Sequence, residues 1–461
     1  MLQSRTKPLT MYELRGRIVG FLTLVLVVVF ILAVNGYNGN IRLLQYKTYF
    51  GKTEFPSDKP YSFTGRTTAP IYKDGSKIPT DDKELYTIVF DAGSTGSRIH
   101  VFHFLPGAGG TLSLEKEIFK FTKPGLSYYA DNPKQGAESL RRMLNEALAY
   151  VPKHKQKITP ITLKATAGLR LLPEGAADNI LNEVTSLFNE YPFPLGGVSV
   201  MDGIDEGIFS WITLNFILGS LEGNRTVAAL DLGGGSTQLT FVPVSAKTYE
   251  QVPKEYIKKV NLFNKKYKLY THSYLGQGLM AARHSILTNK MDPDDISNIS
   301  VIRSPCLLQN YTGVFRFGQM QYNVSGEKPT IDRSPFDQCY KIAKEFVEKY
   351  IRSIDELNWQ DIYIFSYFFD RAEDGGIIDS ENGGVVSMKD FKVAAQKYFD
   401  SPNPRKPFLG LDLTYIYALL CDGYRIKPNI NLHVKKKIKD TEISWALGAA
   451  FQTLSSMGLA R

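Results

Sequence analysis

Cysteine is nearly absent, with three in 461 residues, and this excludes a scaffold stapled by disulfides. In an oxidising compartment Cys306 and Cys339 can close one loop and leave Cys421 over, although spacing alone leaves the pairing open. No G-x-x-x-x-G-K-[ST] occurs, so the chain carries no P-loop. Zinc-finger spacings and basic-aromatic RNA signatures are missing too, and with them the case for a nucleic-acid partner. The excess of 55 Lys and Arg over 46 Asp and Glu, +9 in all, suits a polyanionic substrate or an anionic membrane surface. Runs such as Lys435-Lys436-Lys437 read as a solvated face. What remains is ordinary globular composition, 43% hydrophobic and 22% charged, in a chain long enough for two or three domains.

Long apolar runs are equally scarce, and the one that exists is near the N-terminus. Residues 18–34 are uncharged and follow Arg15 and Arg17. A cleavable signal peptide has an apolar core of roughly 7–15 residues, whereas about 17 is the lower limit for a spanning helix. The run therefore reads as an uncleaved signal anchor in a single-pass type II arrangement. Arg5, Lys7, Arg15 and Arg17 keep residues 1–17 cytoplasmic and place the rest in the lumen or outside. Residues 35–83 are polar and aperiodic, the composition of a stem. N-x-Ser/Thr sequons at Asn224, Asn298, Asn310 and Asn323 agree with a glycosylated lumenal body.

The strongest internal signal is an echo at a spacing of 140 residues. An apolar strand from Leu85 to Phe90 leads into Asp91-Ala-Gly-Ser-Thr-Gly-Ser-Arg98 and a second strand. Thr226 to Leu230 likewise leads into Asp231-Leu-Gly-Gly-Gly-Ser-Thr-Gln238 and a second strand. Glycines let backbone N–H groups converge on an anion, and the Ser and Thr hydroxyls add donors. An Asp closing the strand can hold a hard cation directly or through water. A tight hairpin turn explains either loop alone; two in one register argue for a pair of related halves facing a cleft. Helical patterns at 136–150 and 176–190 alternate with strands at 161–165 and 197–201, which makes the class α/β. A long polar insert spans about 247–335. It is followed by a helix at 338–354, an aromatic strand at 361–369, a helix near 412–420 and a last helix at 444–459.

Two further segments carry chemistry. Lys164-Ala-Thr-Ala-Gly-Leu-Arg170 reads as a strand, a small-residue turn and a helix start, presenting Thr166 to an oxyanion. Asp202-Gly-Ile-Asp-Glu-Gly-Ile-Phe-Ser-Trp211 opens a helix. Its Asp205 and Glu206 either complement the helix dipole, or Glu206 is a general base for a water attacking phosphorus.

Together with Ser444-Trp-Ala-Leu-Gly448, these motifs resemble, in order, the five conserved regions of the apyrases, the nucleoside triphosphate diphosphohydrolases of the actin-like superfamily. The resemblance runs from about Tyr86 to the C-terminus. It implies two RNase H-like domains about a central cleft, domain I from 84–202 and 430–461 and domain II from 203–429. It implies Glu206 as base, Gln238 orienting the water, and Asp91 and Asp231 holding Ca²⁺ or Mg²⁺ through water. Ser94, Thr95, Gly96, Thr166, Gly234, Gly235, Ser236 and Thr237 would bind phosphate, and Phe369 and Tyr415 would stack the base. Gly96, where cell-surface members carry His, resembles the single-anchor secretory branch, which favours UDP and GDP. The expected partners are a nucleoside diphosphate and a Golgi or endoplasmic reticulum membrane. An ecto-enzyme, a related sugar kinase or exopolyphosphatase, and a silent nucleotide-binding protein are the alternatives. The family's second disulfide is missing, since Gly410 stands at one of its positions.

Overall fold

The computed structural model describes residues 84–461 except 94, 107–111, 224, 264, 290, 292–299, 319, 329–331, 458, 460 and 461. The expected tail, anchor and stem, together with Ser94, Asn224 and Asn298, lie outside the described residues. Among the described residues no helix is long and apolar enough to cross a membrane.

Two sheets of mixed direction organise the body. The first comprises β1 (Leu85–Ala92), β2 (Ser97–Pro106), β3 (Leu112–Thr122), β4 (Ile161–Ala165) and β5 (Leu195–Val200), in the order β3-β2-β1-β4-β5. β1 is antiparallel to β2 and parallel to β4. The second is built on β6 (Ala228–Leu232), β7 (Ser236–Phe241), β8 (Ile257–Leu262), β9 (Lys265–Leu275), β13 (Ile362–Ser366), β14 (Gly384–Val386) and β15 (Leu432–Val434). Its central order, β9-β7-β6-β13-β15, repeats the first sheet with the same directions, and β8 and β14 extend the two edges. The sequence echo is therefore a topological repeat, the strand order expected of two RNase H-like halves.

The insert is more structured than its polarity suggests. Besides β8 and β9 it forms a three-stranded sheet of β10 (Ile302–Ser304), β11 (Thr312–Phe317) and β12 (Met320–Gly326). Cys306 is disulfide-bonded to Cys339, which ties this sheet to the helix Pro335–Tyr350, and Cys421 remains free. Asn310 and Asn323 are both exposed on it. The expected aromatic strand at 361–369 is corrected: it ends at Ser366, and Tyr367–Asp374 is helical. β-propensity is weak against tertiary context, and here the strand runs out where its partner β6 ends.

Alternation along the strands decides where the aspartates go. In β1, Ile88, Phe90 and Ala92 enter one apolar cluster and Val89 enters another. In β6, Ala228, Leu230 and Leu232 enter a third cluster, while Ala229 joins Val89. Asp91 and Asp231 share the parity of Val89 and Ala229, so both stand at the rim of one cluster common to the two sheets. Two helices fill that cluster, α1 (Gly203–Ile217) and α2 (Ala446–Ser456). α1 is buried nearly all round, as a helix between two layers must be.

A buried ion pair braces the same region. His100 Nδ1 lies 2.6 Å from Glu117 Oε1, and Glu117 Oε2 accepts the Glu442 N–H at 2.9 Å. Burial pulls the His100 pKa down, but the hydrogen bond and charge of Glu117 outweigh it and the pKa is raised. This contribution is complete below the ordinary pH 6.5 of histidine and is lost as pH rises through the raised folded value. Glu117→Gln leaves His100 buried without its counter-charge and is expected to cost about 3 kcal/mol. Urea unfolding at pH 6 checks this; a loss that persists undiminished at high pH would show that the pair's charge is not the cause.

Candidate active site

Each half presents its loop through the same turn. Gly93 N–H donates to the Gly96 carbonyl and Gly233 N–H to the Ser236 carbonyl, both at 3.0 Å. Asp91 is paired across the hairpin with Arg98, and Asp231 with Gln238. The Gly233 and Gly234 carbonyls accept the N–H groups of Leu279, Met280 and Ala281, at the start of a helix, α3 (Leu279–Leu287). The helix's orphan donors are thus used, and the loop carbonyls are tied back on that side. Gly235 lies against the Thr166 segment: a Cβ there would come within 2.7 Å of the Ala167 Cβ. Thr166 N–H in turn donates to the Ala92 carbonyl at 3.1 Å, so three of the predicted segments meet.

Glu206 belongs to this junction. Asp202 caps α1 through its own carboxylate, which accepts from Ile204 N–H at 2.8 Å, so capping is already provided. Glu206 instead lies 2.7 Å from an Arg170 Nη and 3.2 Å from Gln238 Nε2. Gln238 Nε2 also reaches Ser236 Oγ (2.8 Å) and Ser273 Oγ (2.9 Å). Ser273 is the cross-strand neighbour of Gln238, and no sequence motif announces it. Thr237 has the opposite parity. Its hydroxyl donates to the Asp231 carbonyl at 2.6 Å and faces the core, unlike its neighbours Ser236 and Gln238.

The charges are poorly balanced. Asp91 Oδ2 accepts from Arg98 at 2.9 Å, and Arg170 serves Glu206; among the described residues no cation forms an ion pair with Asp231. Desolvation pushes the Glu206 pKa up to about 8, Arg170 opposes this, and Asp231 and Asp91 add to it. Desolvation likewise raises Asp231 to about 6, with the nearby hydroxyls of Ser366 and Ser210 working the other way and Asp91 adding to the rise. Asp91 Oδ1 and Asp231 Oδ1 are buried acceptors without a donor among the described residues. Unpaired buried carboxylate oxygens are costly, and a hard, oxygen-seeking divalent cation fits them. Among the described residues no three His, Cys, Asp or Glu side chains converge.

A profile of the GDA1/CD39 (nucleoside phosphatase) family matches residues 77–356 and 357–461, which spans both sheets and every segment of this junction. The chain belongs to the GDA1/CD39 family. Within this nucleoside phosphatase family it is 44% identical to "Nucleoside diphosphate phosphatase ENTPD5" of Homo sapiens over 81% of this chain and 89% of that one. It is 41% identical to "Ectonucleoside triphosphate diphosphohydrolase 6" of Mus musculus, over 85% and 87% respectively. Among solved structures it resembles a nucleoside triphosphate hydrolase from Neospora caninum, with TM-score 0.57 and 13% identity over 82% of this chain and 94% of that one, a likeness of fold.

The family member's remaining expected residues are less uniform. Thr95 is half-buried and Gly96 is buried beside the Thr122 carbonyl. Tyr415 is fully buried with its hydroxyl donating to the Gln277 carbonyl, and Phe369 is 1% exposed. Core packing occupies both rings; Tyr367, next to them, is the half-buried one. A cavity of about 460 Å³ opens beyond the second loop, lined by Met280, Arg283, Phe315, Arg316, Gln321 and Phe408. The Met280 N–H that bonds Gly234 joins the cavity to the loop.

Proposed function

We propose that the protein hydrolyses the terminal phosphate of nucleoside diphosphates, UDP and GDP above others, in the lumen of the secretory pathway. The observation that carries the reading is the buried contact of Glu206 with Arg170 and Gln238, together with two aspartates whose Oδ1 atoms have no donor among the described residues. Backbone N–H groups of the two Gly loops, with Ser94, Thr95, Thr166 and Ser236, hold the phosphate oxygens. Glu206 removes a proton from a water that Gln238 and Ser273 orient, and the water attacks phosphorus in line. Asp91 and Asp231 would hold Ca²⁺ or Mg²⁺, whose charge offsets that of the phosphates. Arg170 keeps the Glu206 carboxylate in one rotamer and favours its ionised form.

The cavity beyond Gly234 supports the base preference. Arg283 grips Asp412 through Nε and a second nitrogen, and its guanidinium lies 4.9 Å from the centre of the Phe408 ring. Arg316 and Arg283 can only donate. Donors suit the carbonyls of uracil and guanine and not the amino group of adenine. The Cys306–Cys339 bond, exposed Asn310 and Asn323, and the apolar run 18–34 support a lumenal body on a single anchor.

Phosphate release by the purified lumenal body checks this. UDP and GDP are expected to be good substrates, ATP a poor one and AMP none, with no release in a chelator. Turnover of AMP, or activity indifferent to chelation, would sink the assignment. Protease protection of the body in sealed microsomes checks the topology.

A further inference from the structure

The hairpin that carries the first loop has a third strand beside it, β3, whose end belongs to none of the sequence motifs. In antiparallel register Asp91 lies opposite Arg98, and Arg98 opposite Phe121. Side chains directly opposite one another share a sheet face, so this row stands on the face that carries Asp91. Phe119, one pair further from the loop, agrees. Its ring lies 5.2 Å from that of His100, which is paired with Val89 of the shared cluster. Phe121 is 64% exposed, so the face opens to solvent at this end.

One row nearer the loop stand Gly93, Gly96 and Lys123. Gly93 N–H donates to the Gly96 carbonyl, and Thr122, the last residue of β3, is paired with Ser97. Alternation puts Lys123 on the face of Phe121. The two glycines leave their row without side chains, and the lysine stem lies against the space. A Cβ on Gly96 would be 3.5 Å from Lys123 Cγ and only 2.9 Å from the Thr122 carbonyl oxygen. Glycine at 96 therefore lets the end of β3 close on the loop. A lysine stem spans one strand spacing, about 4.8 Å, and so overhangs the turn.

Charge gives this placement a use. Asp91, Asp231 and Glu206 already make the site acidic, and a diphosphate adds negative charge. Nearby cations are committed elsewhere. Arg98 pairs with Asp91 and Arg170 with Glu206, while Lys164, beside Asp91 on β4, lies 3.4 Å from Ser199 Oγ. Lys123 is exposed, and among the described residues no carboxylate pairs with it. Its ammonium is a point charge with three rotatable donors, which suits a phosphate.

We propose that Lys123 is a further substrate-binding residue, its ammonium reaching over Gly96 to the terminal phosphate held by the first loop. The inference rests on the reading of the Asp91 loop as a phosphate loop.

The test compares the parent with Lys123→Gln and Lys123→Arg on UDP, with inorganic phosphate as a competing probe. Losing one charge-assisted bond at a solvent-open site predicts a KM for UDP about tenfold higher in Lys123→Gln, and inhibition by inorganic phosphate weaker to the same degree. The loss should fall mainly on KM, as for a contact made equally to bound substrate and transition state. It should shrink with added salt. Lys123→Arg should restore most of both constants, and both variants should melt with the parent. Parental KM and phosphate inhibition in Lys123→Gln would make Lys123 a solvated surface charge and overturn the proposal. A lowered melting temperature, or no rescue by arginine, would assign the effect to packing and overturn it too. If the parent itself turns over no nucleoside diphosphate, the underlying reading fails and takes the proposal with it; an active parent with an indifferent Lys123→Gln sinks the proposal alone.

Discussion

Glu206→Gln is expected to lower kcat for UDP by about 10³-fold, the scale of losing a general base, with a folded protein remaining. Glutamine keeps the shape and the contact with Gln238 but cannot take a proton. The variant should also be more stable than the parent in chelator at pH 8. A folded-state pKa of about 8 against an ordinary 4.5 means that the native state holds a proton which the unfolded state has released. Stability therefore falls as pH rises from 4.5 to 8, and a glutamine, having no proton to lose, removes that slope. Kinetics and thermal melts across pH 5–8 on the same preparation test both halves. Parental turnover would refute the assignment of the base; a pH slope of stability unchanged from the parent would refute the burial argument.

Asp231→Asn is expected to reduce turnover on a similar scale, about 10³-fold, since metal charge supplies several kcal/mol to such reactions. It should also abolish stabilisation by Mg²⁺. A cation at 100 times its dissociation constant adds about 2.7 kcal/mol to the folded state, so the parent's melting temperature should rise on adding Mg²⁺ and the variant's should not. In chelator the variant should match or exceed the parent above pH 6. The Asp231 pKa, raised to about 6 from its ordinary 3.8, makes its ionisation a cost to the native state over that window. A Mg²⁺ response that survives in Asp231→Asn would remove this carboxylate from the cation site.

The two predictions concern residues that were readable for different reasons. Asp231 was legible because its loop repeats the Asp91 loop residue for residue in spacing, and a repeated turn fixes the same strand pairing twice. Glu206 was only half legible. A carboxylate in the first turn of a helix has a sufficient local explanation in the dipole, and nothing in the sequence says that Asp202 already provides the cap. Ser273 carried no local signal, because it meets Gln238 only through strand register. The reverse error occurred at Thr237, which the motif groups with Ser236 although alternation sends its hydroxyl into the core. Tyr367, Phe368 and Phe369 read as strand by composition and are helix because β13 loses its neighbour one residue earlier.

What the sequence determined by itself was local and repeated: the α/β class, the two Asp-x-Gly hairpins, their ordered companion motifs and the chemistry those residue types allow. Period, turn composition and spacing are properties of neighbours along the chain, so they are visible there. The tertiary structure alone decided that Glu206 is buried against Arg170 and Gln238, that Ser273 joins Gln238, and that two carboxylate oxygens have no donor among the described residues. Each depends on which strands lie side by side and on how much water their packing removes, and desolvation acts between parts of the chain that sequence leaves far apart.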